Sequence, residues 1–185
     1  MSDFMEKELK NSFRKLLKIK PLNKITVNDI VKDTGVNRNS FYYHFKDIPD
    51  ILEKIIISDS NEFILRYASI DSIDELILAA YTFALEKREI ILNIYSAMEG
   101  TMYEKSALEL CEKLVSIYMS TSGIEFKPKD KEIIEKYLSF TLFGCTVSWI
   151  IKGMPEEELD SLKRVGVLMK KGIEDIVTEI ATKRK

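Results

Sequence analysis

Apolar side chains recur along this chain at helical spacing, and no convincing pair of alternating, strand-like segments occurs. Leu9, Phe13, Leu16 and Leu17 fall at i, i+4, i+7 and i+8 and mark one helix face. Lys7, Lys10, Arg14, Lys15 and Lys18 lie mostly off it, and Pro21 and Asn23 end the helix. Thr26-Val27-Asn28-Asp29 reads as a capping box that opens a short helix burying Val27, Ile30 and Val31. Gly35 stops that helix, since the turn needs a residue tolerant of positive φ. Asn37 caps a second short helix through Phe45, and Asp47 caps a long one from Ile48 to about Ala68, with Pro49 tolerated in its first turn.

The same pattern continues to the end of the chain. Ser72-Ile73-Asp74-Glu75 reads as a second capping box, opening a helix to about Glu86. A helix from Lys87 to Glu99 closes at Gly100, and one from Tyr103 to Ser122 closes at Gly123. After the Lys127–Asp130 loop a helix runs to Lys152 and Gly153. Pro155 then begins a last helix to about Thr182, with Glu156, Glu157 and Glu158 in its favoured acidic first turn. Periodicity predicts an all-α fold without internal repeats or low-complexity segments.

Composition narrows the class. The chain has 185 residues, 45% hydrophobic and 31% charged, with only 7 Gly and 4 Pro. Gly plus Pro is about half the roughly 12% share of an average globular chain, which favours helix. One histidine, His44, and two distant cysteines, Cys111 and Cys145, cannot assemble a usual zinc set, so no metal or cofactor is expected. The cysteines read as small buried hydrophobes in a reducing cytoplasm. The opening segment carries acids and lacks the apolar core of a signal peptide. The longest uncharged run, Tyr137 to Ile151, falls short of the about 20 residues of a membrane span. It reads as a helix buried in a core or at an interface, and no membrane partner is expected.

Charge is uneven. Residues 1–46 hold ten basic and five acidic side chains, whereas residues 47–185 hold eighteen and twenty-five. A basic head on an acidic body suits a localised polyanion contact, although a chance fluctuation explains it equally well. Residues 26–45 add the decisive pattern: helix, turn at Gly35, helix, the spacing of a helix-turn-helix. Val31 and Gly35 lie at i, i+4, where the two helices are expected to approach closely. Val36, Phe41 and Phe45 point inward. Opposite them stand Arg38, Asn39, Ser40, Tyr42, Tyr43 and His44, and no acid occurs from Gly35 to Lys46. These groups suit base edges, thymine methyls and phosphates.

The run Thr26-Val27-Asn28-Asp29-Ile30-Val31, with Gly35-Val36-Asn37-Arg38-Asn39-Ser40-Phe41-Tyr42-Tyr43-His44-Phe45-Lys46-Asp47, closely resembles the DNA-binding signature of TetR/AcrR-family transcriptional regulators. It departs at Val31, where that family favours Ala, and at Asn37, where it favours Ser, an equally good cap. The resemblance covers residues 8–55. Further on, Trp149-(x)3-Gly153-Met154-Pro155 is similar to a segment of the regulators resembling the dihydroxyacetone-kinase activator.

The resemblance implies a helix-turn-helix DNA-binding domain over residues 1–47 and a helical effector-binding and dimerisation bundle over 48–185. Arg38, Asn39 and Ser40 would face the major groove, Arg38 as a guanine partner. Tyr43 would meet a thymine methyl or the backbone. Tyr42, His44, Lys46 and Thr26 would reach phosphates, Thr26 through exposed N–H groups, with Asn28 as a weaker contact. The partners implied are a double-stranded DNA operator, a second copy bound through the last two helices, and a small-molecule effector. Candidate effector-lining residues on the middle helices are Tyr95, Met98, Met102, Tyr103, Cys111 and Tyr118, which a plain core explains equally well. Tyr137, Phe140, Phe143 and Trp149 read as interface or core.

Three functions compete. The first is a homodimeric, ligand-responsive regulator on a palindromic operator, a repressor with activation as its alternative. The second is an interaction protein that has reused the head for something other than DNA. Its mark, acids or gaps in the recognition helix, is missing. The third is a small helical enzyme, which lacks a Gly-rich loop, a metal set and a nucleophile–base pattern.

Overall fold

The computed structural model describes residues 2–67, 69–70, 72–97, 101–123 and 126–182, with residues 2, 101–103, 106 and 177–182 described by backbone alone. The chain is all-α, and no strand occurs among the described residues. Helices α1 (Ser2–Ile19), α2 (Val27–Thr34), α3 (Arg38–His44), α4 (Ile48–Tyr67), α5 (Ile73–Leu85), α6 (Arg88–Tyr95), α7 (Thr101–Thr121), α8 (Pro128–Ile151) and α9 (Leu159–Thr182) follow in order. Short 3₁₀ turns occupy Leu22–Lys24 and Glu156–Glu158.

The chain divides into two compact units, residues 1–66 with 87–103, and residues 67–86 with 104–185. In the first unit Leu9, Phe13 and Leu17 of α1 meet Ile30 and Val31 of α2, Phe41 of α3 and Phe45 just after it, and Ile51, Leu52 and Ile55 of α4. Phe13, Phe41 and Phe45 are essentially inaccessible to solvent. Burying such a side chain contributes about 1.5–3 kcal/mol, so these rings hold α3 in place. Helix α6 also belongs to this unit. Ile90 and Ile94 join the same core, and the Asn93 side-chain N–H donates to the Leu17 carbonyl at 2.9 Å. That bond satisfies a carbonyl in the last turn of α1, where the helix itself supplies no donor. Arg14 of α1 pairs with Asp59 of α4 at 2.6 Å, and Lys87 reaches the same carboxylate at 3.5 Å.

In the second unit α5 and α9 pack closely. A methyl group built on Gly166 of α9 would lie 2.8 Å from the Asp74 Cα of α5. Tyr81 of α5 stacks edge-on against Trp149 of α8, ring centroids 5.0 Å apart, and its hydroxyl bonds the Thr146 hydroxyl at 3.0 Å. Ile73, Leu76, Ile77, Leu114, Val115, Tyr118, Leu142 and Met169 surround a small apolar cavity.

Several local expectations need correction. Ser72 does not form a capping box: its hydroxyl bonds Asp74, and Lys170 of α9 approaches Ser72 at 3.2 Å and Asp74 at 3.6 Å. A cation 98 residues away has joined the polar groups that a local cap would use. Helix α6 ends at Tyr95, not Glu99, which with Gly100 lies outside the described residues. Helix α8 starts at Pro128, because a first-turn N–H needs no helical partner. The glutamate run forms a 3₁₀ turn ahead of α9 instead of its first α-turn. Gly35 has nothing within 4 Å of a built Cβ, so it serves its φ of 73° and not a close helix approach.

Candidate nucleic-acid interface

Helix α2 begins where the sequence says it should. The Asp29 backbone N–H donates to Thr26 Oγ1 at 3.3 Å, and the Thr26 backbone N–H donates back to Asp29 Oδ2 at 2.8 Å. The Thr26 hydroxyl also donates to Oδ2 at 2.8 Å, and Lys20 pairs with it at 3.0 Å. The bonds from Thr26, backbone first, and then Lys20 hold the Asp29 carboxyl at about 2, well below its ordinary 3.8. Gly35 then turns the chain in the left-handed region, and the Val36 N–H closes the helix on the Val31 carbonyl.

Helix α3 is set by its own cap and by its two phenylalanines. The Ser40 backbone N–H donates to Asn37 Oδ1 at 2.9 Å, and the Ser40 hydroxyl donates to the same oxygen at 3.3 Å. Phe41 and Phe45 anchor the inner side, so the remaining side chains are forced outward. Arg38, Asn39, Tyr42 and Tyr43 are exposed, Tyr43 to 78%; Ser40 and His44 are half-buried. On the flanks Thr26, Asn28 and Lys46 are exposed as well. All nine residues singled out in the sequence therefore keep solvent-facing surface on the elements of one helix-turn-helix.

Sequence reasoning missed what braces the far end of α3. Lys54 of α4 donates to the His44 carbonyl at 2.8 Å, lies 4.8 Å from the Phe45 ring centroid and pairs with Asp50 at 3.6 Å. The Asp50–Lys54 spacing of i, i+4 is a readable signal; the contact to His44 is not. Asp50 also accepts the Lys46 backbone N–H at 2.8 Å, and Asp47 accepts that of Asp50 at 2.9 Å. The loop from α3 to α4 is thus tied at both ends. On α1, Lys10 and Lys15 are engaged by Glu6 and Asp33 at 2.6 and 2.5 Å.

The candidate effector residues separate. Tyr118 is buried and lines the apolar cavity, and Cys111 is buried about two turns away on the same helix, its thiol pushed up to about 12 by desolvation. Tyr95 is half-buried in the first unit. Met98, and the side chains of Met102 and Tyr103, lie outside the described residues. Of the aromatic residues on α8, Trp149 is core, whereas Tyr137 and Phe140 are each 58% exposed. Among the described residues no group of three His, Cys, Asp or Glu is placed to hold a metal ion, and no helix is long and apolar enough to cross a membrane.

Comparison with known proteins agrees with this geometry. Residues 14–55 match the family described as bacterial regulatory proteins, tetR family. Residues 71–171 match the transcriptional regulator C-terminal region. A comparison with curated proteins gives no match. Among solved structures, the dihydroxyacetone kinase operon activator DhaS is similar, with a TM-score of 0.72 at 19% identity over 90% of this chain and 96% of that one. At that identity the likeness is one of fold. With a helix-turn-helix at its head and more than half its length matched by the C-terminal model, the chain belongs to the TetR family of DNA-binding transcriptional regulators.

Proposed function

We propose that the protein is a ligand-responsive repressor that binds a palindromic operator as a homodimer. The observation that carries this reading is the outer face of α3, where Arg38, Asn39, Tyr42 and Tyr43 stand exposed on a helix locked by Phe41 and Phe45. No acid interrupts that surface from Gly35 to Lys46. Arg38, Asn39 and Ser40 enter the major groove with Tyr43 beside a thymine methyl or the backbone. Thr26, Tyr42, His44 and Lys46 contact phosphates, and Asn28 contributes at the edge.

One short helix reads few base pairs, so a dimer is required, its recognition helices about 34–36 Å apart. The surface that supplies it lies on the last two helices. Ile133, Tyr137, Phe140 and Ile151 of α8 are exposed at helical spacing, and the neighbours Val167 and Leu168 of α9 are exposed as well. Exposed apolar faces of this kind mark association sites. An effector acting near Tyr118 and Cys111 shifts the population toward a dimer whose spacing no longer fits the operator. We place the protein in the cytoplasm and assign it no enzymatic activity or cofactor.

A second reading, activation, is favoured by the similar DhaS structure, which is that of an operon activator. The test begins with purified protein on DNA from upstream of its own gene, against scrambled DNA, across a salt series. Selective binding by two protomers per site, with a steep salt slope, supports the regulator reading. Equal weak binding to both DNAs, repeated with sites drawn from a random pool, overturns it. A reporter behind the bound site then separates the signs: removal of the protein raises transcription under repression and lowers it under activation.

A further inference from the structure

Resting on that reading, we propose that base identity is read by two of the outward residues, Arg38 and Asn39, as a guanine and an adenine in neighbouring base pairs, and that Ser40 and Thr26 read none. The distinction comes from which polar groups are already satisfied. The Ser40 hydroxyl gives its only proton to Asn37 Oδ1, and the Thr26 hydroxyl gives its own to Asp29. Each belongs to a cap that holds a helix end, so turning toward a base breaks a bond that orients the reading head. Arg38 and Asn39 carry no such commitment. Both are exposed, and among the described residues neither side chain has a hydrogen bond or ion pair within the protein.

The chemistry of the two free groups differs in a readable way. A guanidinium is a fork of donors only, and it matches the two acceptors, O6 and N7, of guanine. A carboxamide offers one donor and one acceptor, and it matches N7 and N6–H of adenine. Adjacent residues on a helix project about 100° apart, so the two forks address neighbouring base pairs rather than one. Tyr42 and Tyr43, one turn on at i+4 from each, flank the pair and present ring edges and hydroxyls to the thymine methyl or the phosphates. The preference therefore sits in two contiguous positions of each half-site.

The experiment is selection of bound duplexes from a random pool by the full chain and by Arg38→Ala, Asn39→Ala, Ser40→Ala and Thr26→Ala. Each variant is checked for folding by circular dichroism. The expected wild-type motif holds a guanine next to an adenine in each half-site. Arg38→Ala is expected to flatten the guanine position alone and Asn39→Ala the adenine position alone, each by about 5- to 150-fold in base preference. Ser40→Ala and Thr26→Ala are expected to keep the full motif with weaker overall binding. A motif lost at a base position in Ser40→Ala or Thr26→Ala overturns the proposal, as does an unchanged motif in folded Asn39→Ala or Arg38→Ala. Failure of the wild type to select any motif is a different result, and it counts against the regulator reading itself. Asn39→Asp, which keeps size and removes the donors, is expected to exchange adenine for cytosine at that position.

Discussion

The indole N–H of Trp149 donates to the Pro155 carbonyl at 2.9 Å, across the end of α8. Around it the Met154 N–H closes on the Trp149 carbonyl and the Gly153 N–H on the Ile150 carbonyl, both at 2.9 Å. This is the Schellman pattern of helix termination. Gly153, at φ 84°, takes the left-handed position, and Met154, at φ 56°, follows in the same region with its side chain fully buried. The Trp-(x)3-Gly-Met-Pro segment is a helix stop whose tryptophan is at once a core residue and a clasp. Replacing Trp149 by Phe keeps most of the ring but removes one of the two bonds to the Pro155 carbonyl, which the Glu158 N–H also reaches at 3.3 Å, at an expected cost of about 0.5–1.5 kcal/mol. Trp149→Ala is expected to cost about 3–5 kcal/mol. Urea unfolding of both variants checks the order.

Gly166→Ala sets a small volume change against backbone. The added methyl meets the Asp74 Cα at 2.8 Å, and the Asp74 Cβ and Ile77 Cδ1 lie at 3.2 and 3.4 Å. The first of these cannot swing aside. Although alanine is ordinarily the better helix former by about 1 kcal/mol, we expect net destabilisation of about 1–3 kcal/mol. A midpoint of unfolding raised above wild type contradicts the close approach of α5 and α9.

The Asp29 carboxyl ties stability to acid. Its pKa in the folded chain is about 2, against an ordinary 3.8. A depressed acid contributes stability that is present above its unfolded pKa and is lost as pH falls through the folded value. The window is therefore about pH 4 down to 2. With the side chain one-third exposed, the contribution is modest. Thr26→Ala removes the hydroxyl's bonds but keeps the backbone N–H that bonds the Asp29 carboxylate, so the Asp29 resonance should move only part of the way toward 3.8 and stability should fall by about 1 kcal/mol at neutral pH. An unmoved titration curve rejects the hydroxyl's share in the shift.

Backbone and base contacts should separate in binding assays. His44→Ala and Tyr42→Phe are expected to weaken cognate and unrelated DNA alike, by about 1 kcal/mol each. Lys46→Ala should also lower the slope of log affinity against log salt by about one. A loss confined to the cognate site argues against phosphate contact at that residue.

The apolar face of α8 can be tested by charge. Phe140→Arg alters an exposed side chain, so the protomer should remain folded. If the face joins two copies, the variant sediments as a monomer and loses tight operator binding while retaining weak binding to single half-sites. A variant that still sediments as a dimer places the interface elsewhere.

Much of the reading head was legible because its determinants are local. Thr26 and Asp29, Asn37 and Ser40, and Asp47 and Asp50 act across three residues, a distance at which the backbone itself brings partners together. The buried Phe41 and Phe45 then leave only one side for Arg38, Asn39, Tyr42 and Tyr43. Ser72 shows the limit of that logic. Its pattern was as good as that of Thr26, yet its hydroxyl bonds Asp74 beside Lys170 of a distant helix.

By itself, then, the sequence determined the helices, the turn at Gly35 and the outward set of α3, since each follows from periodicity and neighbours a turn away. Only the tertiary structure decided which residues of the uncharged run in α8 are core. Trp149 is buried whereas Tyr137 and Phe140 are exposed, on a helix apolar on all sides whose pattern names no inner face. It likewise decided that α6 joins the head, through Asn93 and the Leu17 carbonyl 76 residues apart. Contacts of that separation depend on how whole helices pack, and no local spacing encodes them.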